Sequence, residues 1–246
     1  MLWELRMPVT NEFGQPIGDP LPEGWQPPVH PPQETLTGRY VSVVPISVAD
    51  HAADLFEAAL MDRSGEGWTY LPYGPFEASG EFEDWMSATC LGSDPQFYAY
   101  VSNETGKAVG WGSYLRIKTK EASIEVGHIR LTPLMQRTRM ATEAMYLKIK
   151  NAFDLGYRRF EWKCDDLNAP SRRAAERLGF TFEGIFRQAT HYRGRNRDTA
   201  WYGITDQEWP QIKAAHEAWL APENFDQDGS QKEKLDTLIA ARRTGA

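Results

Sequence analysis

A basic loop between a predicted strand and a predicted helix carries the most distinctive chemistry in the sequence. It reads PLMQRTRMATEA over residues 133–144 and contains Arg137 and Arg139. The first backbone N–H groups of a helix have no partner within the helix, and the helix dipole places about half a positive charge at that end. Such a position binds phosphate, and the two arginines strengthen it. The loop therefore predicts a site for a phosphorylated ligand.

A second basic helix start follows downstream. The segment DDLNAPSRRAAERLGF, residues 165–180, contains Asn168, Ser171, Arg172 and Arg173 ahead of a short apolar stretch. A proline near the beginning favours a helix start at this point. Two cationic helix starts near the ends of two adjacent parallel strands would suit a long anion with several phosphate groups.

The distribution of charge supports a local anionic partner. The chain of 246 residues has a formal net charge of −7, yet residues 130–197 hold twelve Arg and three Lys against seven Asp and Glu, a net of +8. The remaining 178 residues sum to −15. The alternative is an ordinary solvated basic face. An acidic remainder disfavours nucleic acid as a partner and favours one small polyphosphate cofactor.

Composition excludes several other classes of protein. Apolar residues make up 41% and charged residues 25%, as in an average globular protein. No apolar run approaches the roughly 20 residues of a membrane span, and the N-terminus does not look like a secretory signal. The two cysteines, Cys90 and Cys164, are isolated, which argues against a disulfide framework and a zinc site. We expect a cytoplasmic protein with no metal and no membrane partner.

Hydrophobic periodicity predicts the elements that position the two loops. Predicted strands cover residues 40–46, 96–102, 108–117, 123–131, 158–164, 180–190 and 198–205, and predicted helices cover 48–60, 79–90, 141–155 and 170–178. The three strands from 96 to 131 form an antiparallel meander, and a right-handed crossover through helix 141–155 makes the next strand parallel. The prediction is an α+β fold with a central mixed twisted sheet flanked by helices.

Both ends of the chain differ from this middle part. Residues 1–38 contain eight of the 16 prolines and are predicted to form an extended arm. Residues 39–206 form the predicted domain, and residues 207–246 a C-terminal helical appendix. Ser230 and Glu233 have the spacing of a capping box that would start the last helix. The arm could embrace its own chain or a second copy, so a homodimer stays open.

The two basic segments and the order of elements resemble the GNAT (GCN5-related) N-acetyltransferases, in particular the ribosomal-protein-like branch. That family binds acetyl-CoA with a Q/R-x-x-G-x-G/A loop, and the matching positions are Gln136, Arg137, Thr138, Arg139, Met140, Ala141 and Thr142. Its second block, N-x-x-S…L-G-F-x-x-E-G, is matched from Asn168 to Gly184. The resemblance covers residues 39–206, most specifically 123–205.

Two departures from the family pattern bear on the site. Arg139 stands where the family has its central glycine, and it could supply charge if its φ is negative. Ala175 stands where many members have a tyrosine as general acid, and Ser171 fits the serine that the ribosomal-protein-like branch uses instead. The alternative for Ser171 is a helix cap. The resemblance further implies that Asn168 and Arg172 contact CoA.

The resemblance implies transfer of an acyl group from a CoA thioester to an amine. Deprotonating an alkylamine of pKa near 10.4 at pH 7 costs roughly 4–5 kcal/mol, so a base is useful. Candidate bases are Glu125 and His128, which a regular strand would point to opposite faces unless a bulge intervenes. A backbone N–H near Ile129 or Leu131 would stabilise the oxyanion. A salt bridge for Glu125 and a half-buried structural role for His128 are the alternatives.

The aromatic loop at residues 67–76 lies on the acceptor side in the resembled fold. Trp68, Tyr70 and Tyr73 are therefore candidate substrate-binding residues, with plain core packing as the alternative. The predicted activity is that of an acyl-CoA-dependent N-acyltransferase, with acetyl the favoured acyl group and succinyl left open. The acceptor would be a protein N-terminus or a small molecule. A non-catalytic CoA-binding sensor or scaffold is the alternative function.

Overall fold

The computed structural model describes residues 9–243. Within this range the strands are β1 (Val9–Thr10), β2 (Pro16–Ile17), β3 (Leu36–Thr37), β4 (Val41–Pro45), β5 (Gln96–Ser102), β6 (Ala108–Lys118), β7 (Ser123–Leu131), β8 (Arg159–Asp165), β9 (Thr181–Tyr192) and β10 (Arg195–Thr205). The α-helices are α1 (Val48–Leu60), α2 (Ser79–Thr89), α3 (Arg139–Asp154), α4 (Ala169–Arg177), α5 (Trp209–Leu220) and α6 (Leu235–Arg243). β5, β7 and α1 have their predicted bounds.

The centre of the protein is a mixed sheet of eight strands in the order β3-β4-β5-β6-β7-β8-β10-β9. Every neighbouring pair is antiparallel except β7 and β8, which are parallel. The predicted α+β fold, an antiparallel meander followed by a parallel crossover, is therefore confirmed. In the described part of the chain, the helices are too short or too polar to cross a bilayer.

Helix α3 makes the crossover and buries one face against the sheet. Ala144, Met145 and Ile149 on this helix belong to the same buried cluster as Ile124 on β7 and Phe160 on β8. Their spacing along the helix is the 3.6-residue period that marks a half-buried helix. Because α3 is locked onto both parallel strands, its first turn lies at the ends of β7 and β8.

Helices α1 and α2 cover the opposite face of the meander. Trp68, Phe82 and Trp111 pack there as an aromatic cluster, with ring centroids 5.6–5.9 Å apart. Ser47 caps α1, because its side chain accepts a hydrogen bond from the backbone N–H of Asp50. The acceptor-side loop at residues 67–76 connects these two helices.

The proline-rich segment lies along the body. Its strands β1 and β2 pair as a small exposed hairpin, which the prediction of a purely extended arm did not contain. Further along, the carbonyl of Pro31 accepts a hydrogen bond from Gln96 and that of Pro32 from Tyr98. Residues 1–8 of the predicted arm lie outside the described residues.

The C-terminal part forms two helices, but the last one begins later than predicted. Helix α6 starts at Leu235, and the backbone N–H of Ser230 donates to Asp228, so the predicted capping box at Ser230 is wrong. Asn224 organises this segment instead, accepting from the backbone of Glu233 and donating to the carbonyl of Trp219. A buried side-chain amide satisfies the backbone here more completely than an exposed serine would.

The hairpin of β9 and β10 is longer than predicted. The predicted seven-residue loop is a two-residue turn at Arg193 and Gly194, with φ of 49° and 69°. Positive φ at both central residues is the turn geometry that matches the twist of the flanking strands. An arginine at the first position gives little sequence signal for it, which is why the prediction missed the turn.

Candidate active site

The two parallel strands separate where the site forms. β7 pairs with β8 only from Ser123 to Val126, while β8 continues to pair with β10 as far as Asp165. On the other side of β7, the residues His128 and Ile129 both lie opposite Gly112 of β6, and φ of His128 is 51°. This β-bulge bends β7 away from β8. The gap that results is the start of the active-site cleft.

The bulge also decides which way the predicted residues point. Without it, Glu125 and His128 would face opposite sides of the sheet. With it, both lie on the α1–α2 face, where His128 packs against Phe97 at 5.0 Å between ring centroids. Ile129 and Leu131 point to the other face and line the cleft. The predicted oxyanion positions and the predicted bases therefore sit on opposite faces of one strand.

The cleft has a volume of about 580 Å³ and combines apolar walls with three arginines. It is lined by Ile129, Leu131, Arg137, Thr138, Arg139, Ala141, Thr142, Met145, Trp162, Ala174, Arg177, Leu178, Trp219, Phe225, Gly229 and Gln231. Seven of these residues belong to the predicted cofactor site. Trp162, Arg177, Trp219 and Phe225 were not among the predicted site residues, because only the packing of α4 and the C-terminal helices brings them here.

The start of α3 is open to a ligand. Its first residue is Arg139, preceded by Thr138, whose side chain donates to the carbonyl of Met135 and makes no capping bond. Its first turn holds no acidic residue. Arg137 has φ of 60°, whereas Arg139 is helical, so the condition that φ of Arg139 be negative is met. The loop thus presents uncapped amides and two cations to the cleft, as an anion site requires.

The other predicted loop residues surround this start. Ala141 and Thr142 line the cleft, and Thr142 accepts a hydrogen bond of 3.0 Å from Arg177. Gln136 is exposed and donates to the carbonyl of Leu131. Met140 is half-buried against the main core. These two residues shape the loop and do not line the cleft.

Ser171, at the second helix start, does not cap α4. The side chain of Asn168 caps α4 by accepting from the backbone N–H of Ser171 at 3.1 Å. The hydroxyl of Ser171 accepts a hydrogen bond of 3.0 Å from the indole N–H of Trp162. Burial raises the pKa of the neighbouring Cys164 thiol, and a hydrogen bond from Ser171 opposes this. Ser171 is therefore held beside a cleft-lining tryptophan, with its proton on the thiol side.

Arg172 points away from the cleft. Its guanidinium donates to Asp166 at 2.5 Å and to the hydroxyl of Tyr202 at 3.1 Å, and it lies over the ring of Phe182. These partners belong to the β8–α4 loop and to the closing hairpin. The structure therefore does not bring Arg172 to the cleft, whereas Arg177, five residues further along α4, lines it.

His128 is kept neutral by its surroundings. Its ring stacks against Tyr73 with centroids 5.7 Å apart, and its Nδ1 is buried without a hydrogen-bond partner. Burial, together with the positive charge of Arg116, lowers the pKa of His128 to about 4. At neutral pH the imidazole has a free lone pair. It can accept a proton, but a pKa of about 4 makes it a weak base at neutral pH.

Glu125 has little freedom to act as a base. Its carboxylate lies 2.7 Å from Arg116 and 2.8 Å from Lys163, and its side chain is 3% exposed. Lys163 also contacts Glu161 at 2.7 Å, so the four side chains form a row of alternating charges. This arrangement matches the salt-bridge alternative for Glu125.

The acceptor-side loop is tied down over the α1–α2 face. The hydroxyl of Tyr70 donates to the carbonyl of Leu167 at 3.1 Å, and Arg193 donates to the carbonyl of Tyr73 at 2.8 Å. Trp68 is 3% exposed and packs against Arg130, which pairs with Asp62. Tyr73 packs against His128 and its hydroxyl accepts from the indole of Trp111, and Trp68 packs the loop from inside and is not open to an acceptor. Tyr70 is half-buried, and neither tyrosine lines the cleft.

A sheet whose parallel strands part at a bulge, above an uncapped and arginine-flanked helix start, defines a protein that binds a CoA thioester and transfers its acyl group. Residues 42–181 match the Acetyltransferase (GNAT) domain, and the chain belongs to that family. The chain is similar to a GCN5-related N-acetyltransferase from Brucella melitensis, with 44% identity, 88% of this chain and 99% of that chain covered, and a TM-score of 0.86.

Other structures agree with this membership. A GNAT-family protein from Chromobacterium violaceum is 41% identical over 80% of this chain and 99% of its own, with a TM-score of 0.73. The acetyltransferase MccE, solved with acetyl-CoA and AMP, shares the fold at 18% identity over 68% of this chain and 93% of its own, with a TM-score of 0.60. Structures of the ribosomal-protein-like branch share the fold at 19% and 21% identity. No curated protein matches the chain.

The protein is thus an N-acetyltransferase that uses acetyl-CoA and an amine acceptor, as predicted. The residues present fit this co-substrate, because the cleft joins uncapped helix amides and arginines to an apolar channel along β7. When bound, acetyl-CoA supplies an activated acetyl group. Among residues 9–243, no three His, Cys, Asp or Glu side chains come together as a metal site would need.

Proposed function

We propose that this acetyltransferase acetylates a primary amine, on a small molecule or at a protein N-terminus, with Ser171 as proton donor and His128 as base. The observation that carries the proposal is the hydrogen bond of 3.0 Å from Trp162 to the Ser171 hydroxyl. Because the oxygen accepts from the indole, the hydroxyl proton is directed elsewhere. Trp162 lines the cleft, so Ser171 is held directly beside the cleft, with its proton on the side of the Cys164 thiol.

His128 supports the proposal from the opposite face. It lies on the acceptor side of β7, two residues from Arg130 and directly before the cleft-lining Ile129. Its Nδ1 has no hydrogen-bond partner among the described residues. Glu125 is the weaker candidate, since two cations already engage its carboxylate. A base on one face and an acid on the other can move a proton off the amine and onto the leaving sulfur.

The proposal is tested by binding and turnover measurements on the full chain. Calorimetry with acetyl-, propionyl- and succinyl-CoA identifies the acyl donor, and a thiol-release assay with peptides, polyamines and aminoglycosides identifies the acceptor. We expect micromolar binding of acetyl-CoA and saturable release with one class of amine. No binding of any acyl-CoA at millimolar ligand would overturn the proposal. Binding without release by any amine would favour a sensor or scaffold instead.

A further inference from the structure

The C-terminal segment from Trp209 to Arg243, here called the C-terminal extension, contributes two aromatic rings to the cleft. The ring of Phe225 lies 4.8 Å from the guanidinium of Arg139, and the ring of Trp219 lies 5.0 Å from that of Arg177. The two rings contact each other edge to face at 5.1 Å. All four side chains line the cleft, and both aromatic residues lie beyond the part of the chain that matches the family domain.

Arg139 contacts a second aromatic ring outside the extension. Tyr40, which precedes β4, lies 4.6 Å from the guanidinium. Glu143 holds Tyr40 in place, because its carboxylate accepts from the backbone N–H groups of Arg39, Tyr40 and Val41 at 2.6–3.0 Å. A guanidinium that lies over aromatic rings keeps its N–H edge available, and that edge matches the oxygens of a phosphate.

The extension is a fixed wall at this point. The indole N–H of Trp219 donates to Gln231 at 2.8 Å, and the backbone of Phe225 pairs with that of Gln231. The amide of Asn224 makes three further hydrogen bonds within the same segment. A ring held in this way can orient an arginine at little further entropic cost.

We infer that the C-terminal extension is part of the acyl-CoA site, where Phe225 positions Arg139 to bind the phosphate groups of the co-substrate. Arg139 is the first residue of α3 and stands at the position of the family's central glycine. Glycine there lets the backbone approach the phosphate groups closely, and the positioned Arg139 side chain binds them instead. Phe225 is a positioning residue in this arrangement and Arg139 a binding residue. The inference rests on the use of this cleft for acyl-CoA that the proposed function requires.

Two substitutions separate positioning from simple packing. Phe225→Leu keeps an apolar side chain and removes the aromatic face, whereas Phe225→Tyr keeps the face. Calorimetry compares acetyl-CoA with S-acetylpantetheine, which lacks the pyrophosphate and the nucleotide. We expect Phe225→Leu to weaken acetyl-CoA binding about fivefold to tenfold, as cation–π energies suggest, and Phe225→Tyr to stay within twofold of wild type. S-acetylpantetheine should bind both variants as it binds wild type.

A double-mutant cycle supplies the second readout. Arg139→Ala should weaken acetyl-CoA binding about tenfold, and adding Phe225→Leu should then change the affinity by less than twofold. Lys234→Ala, an exposed change in the same extension, is the control and should have no effect. Equal acetyl-CoA affinity of Phe225→Leu and wild type, or additive effects in the cycle, would overturn the inference. Failure of wild type to bind acetyl-CoA would instead overturn the proposed function.

Discussion

The indole N–H of Trp162 donates a hydrogen bond of 3.0 Å to the hydroxyl oxygen of Ser171. Trp162 is on β8 and Ser171 is in the first turn of α4, so the contact joins the strand that leaves the cleft to the helix that borders it. Asn168 provides the side-chain cap of that helix. The Ser171 hydroxyl therefore does not cap the helix and instead lies between the indole of Trp162 and the thiol of Cys164.

The first prediction concerns Ser171 as the proton donor. Ser171→Ala should lower kcat roughly 100-fold, the size expected for loss of a general acid, and leave KM for acetyl-CoA within about threefold. Stability should fall by about 1–2 kcal/mol, because the buried indole N–H of Trp162 loses its acceptor while Asn168 still caps α4. Steady-state thiol release measures the effect. Cys164→Ala removes the neighbouring thiol and serves as the control, and a kcat for Ser171→Ala equal to that of the control would contradict the assignment.

The second prediction concerns His128 as the base. His128→Gln should lower kcat about 100-fold. Since burial and Arg116 lower the pKa of His128 to about 4, the ring stays neutral from pH 8 down to about pH 5. The pH profile of the wild-type enzyme should accordingly lack an inflection at pH 6.5. An inflection there that disappears in His128→Gln would show that the ring titrates normally and is not buried as the structure has it.

The third prediction assigns Glu125 a structural role. Its buried carboxylate pairs with Lys163, which is itself 7% exposed, and with Arg116, which is 55% exposed. Glu125→Gln should destabilise the fold by about 1–3 kcal/mol, because it leaves a buried cation short of a partner. Arg116→Ala should cost less than about 1 kcal/mol, since exposed pairs contribute little.

Urea unfolding of both variants, with kcat measured in parallel, decides the question for Glu125. The turnover of Glu125→Gln should stay within about threefold of wild type under conditions in which the variant is folded. A drop of 100-fold in kcat without a loss of stability would identify Glu125 as the base and remove His128 from that role.

The fourth prediction concerns acid lability through His216 on α5. Its Nε2–H donates to the carbonyl of Leu178 at 3.0 Å, and burial lowers the pKa of the ring to about 4. The folded protein therefore resists protonation that the unfolded chain accepts near pH 6.5. The contribution of the neutral ring to the free energy of unfolding is complete above pH 6.5 and is lost as the pH falls toward 4. The loss is roughly 2 kcal/mol at pH 5.

Urea unfolding at pH 7.5 and pH 5 measures this loss. His216→Gln keeps a donor for the carbonyl of Leu178 and does not titrate, so its stability should fall by about 2 kcal/mol less than that of wild type between the two pH values. Equal pH dependence of the two proteins would mean that His216 is already protonated, or already exposed, at pH 5.

Local signals were sufficient for much of the site. A strand, a loop and a helix follow each other directly in the chain, and this brings to the cleft Ile129, Leu131, Arg137, Thr138, Arg139, Ala141 and Thr142. The period of the apolar residues predicts that unit, and a ligand-binding loop at its junction follows from helix electrostatics alone. The antiparallel meander before it was predictable for the same reason, since short turns leave few ways to pair its strands.

Arg172 and Arg177 show where sequence reasoning stops. Both lie on the same short helix, and the family pattern favours the first. The structure ties Arg172 to Asp166 and Tyr202 and brings Arg177 to the cleft. The rotation of α4 on the sheet is set by the packing of Ala175 and Leu178 in the core, which depends on contacts with β8, β9 and the extension. The rotation of α4 about its own axis cannot be derived from a single sequence.

The sequence by itself determined the fold, the family and the cofactor class, because all three depend on contiguous segments with strong patterns. Only the tertiary structure decided that a bulge at His128 turns it to the same face as Glu125, that Glu125 is occupied by two cations, and that Phe225 reaches across to Arg139. A one-residue bulge reverses the facing of a strand, and a contact between residues 86 positions apart forms only when separate elements pack. The orientation and contacts of single side chains therefore depend on the tertiary structure.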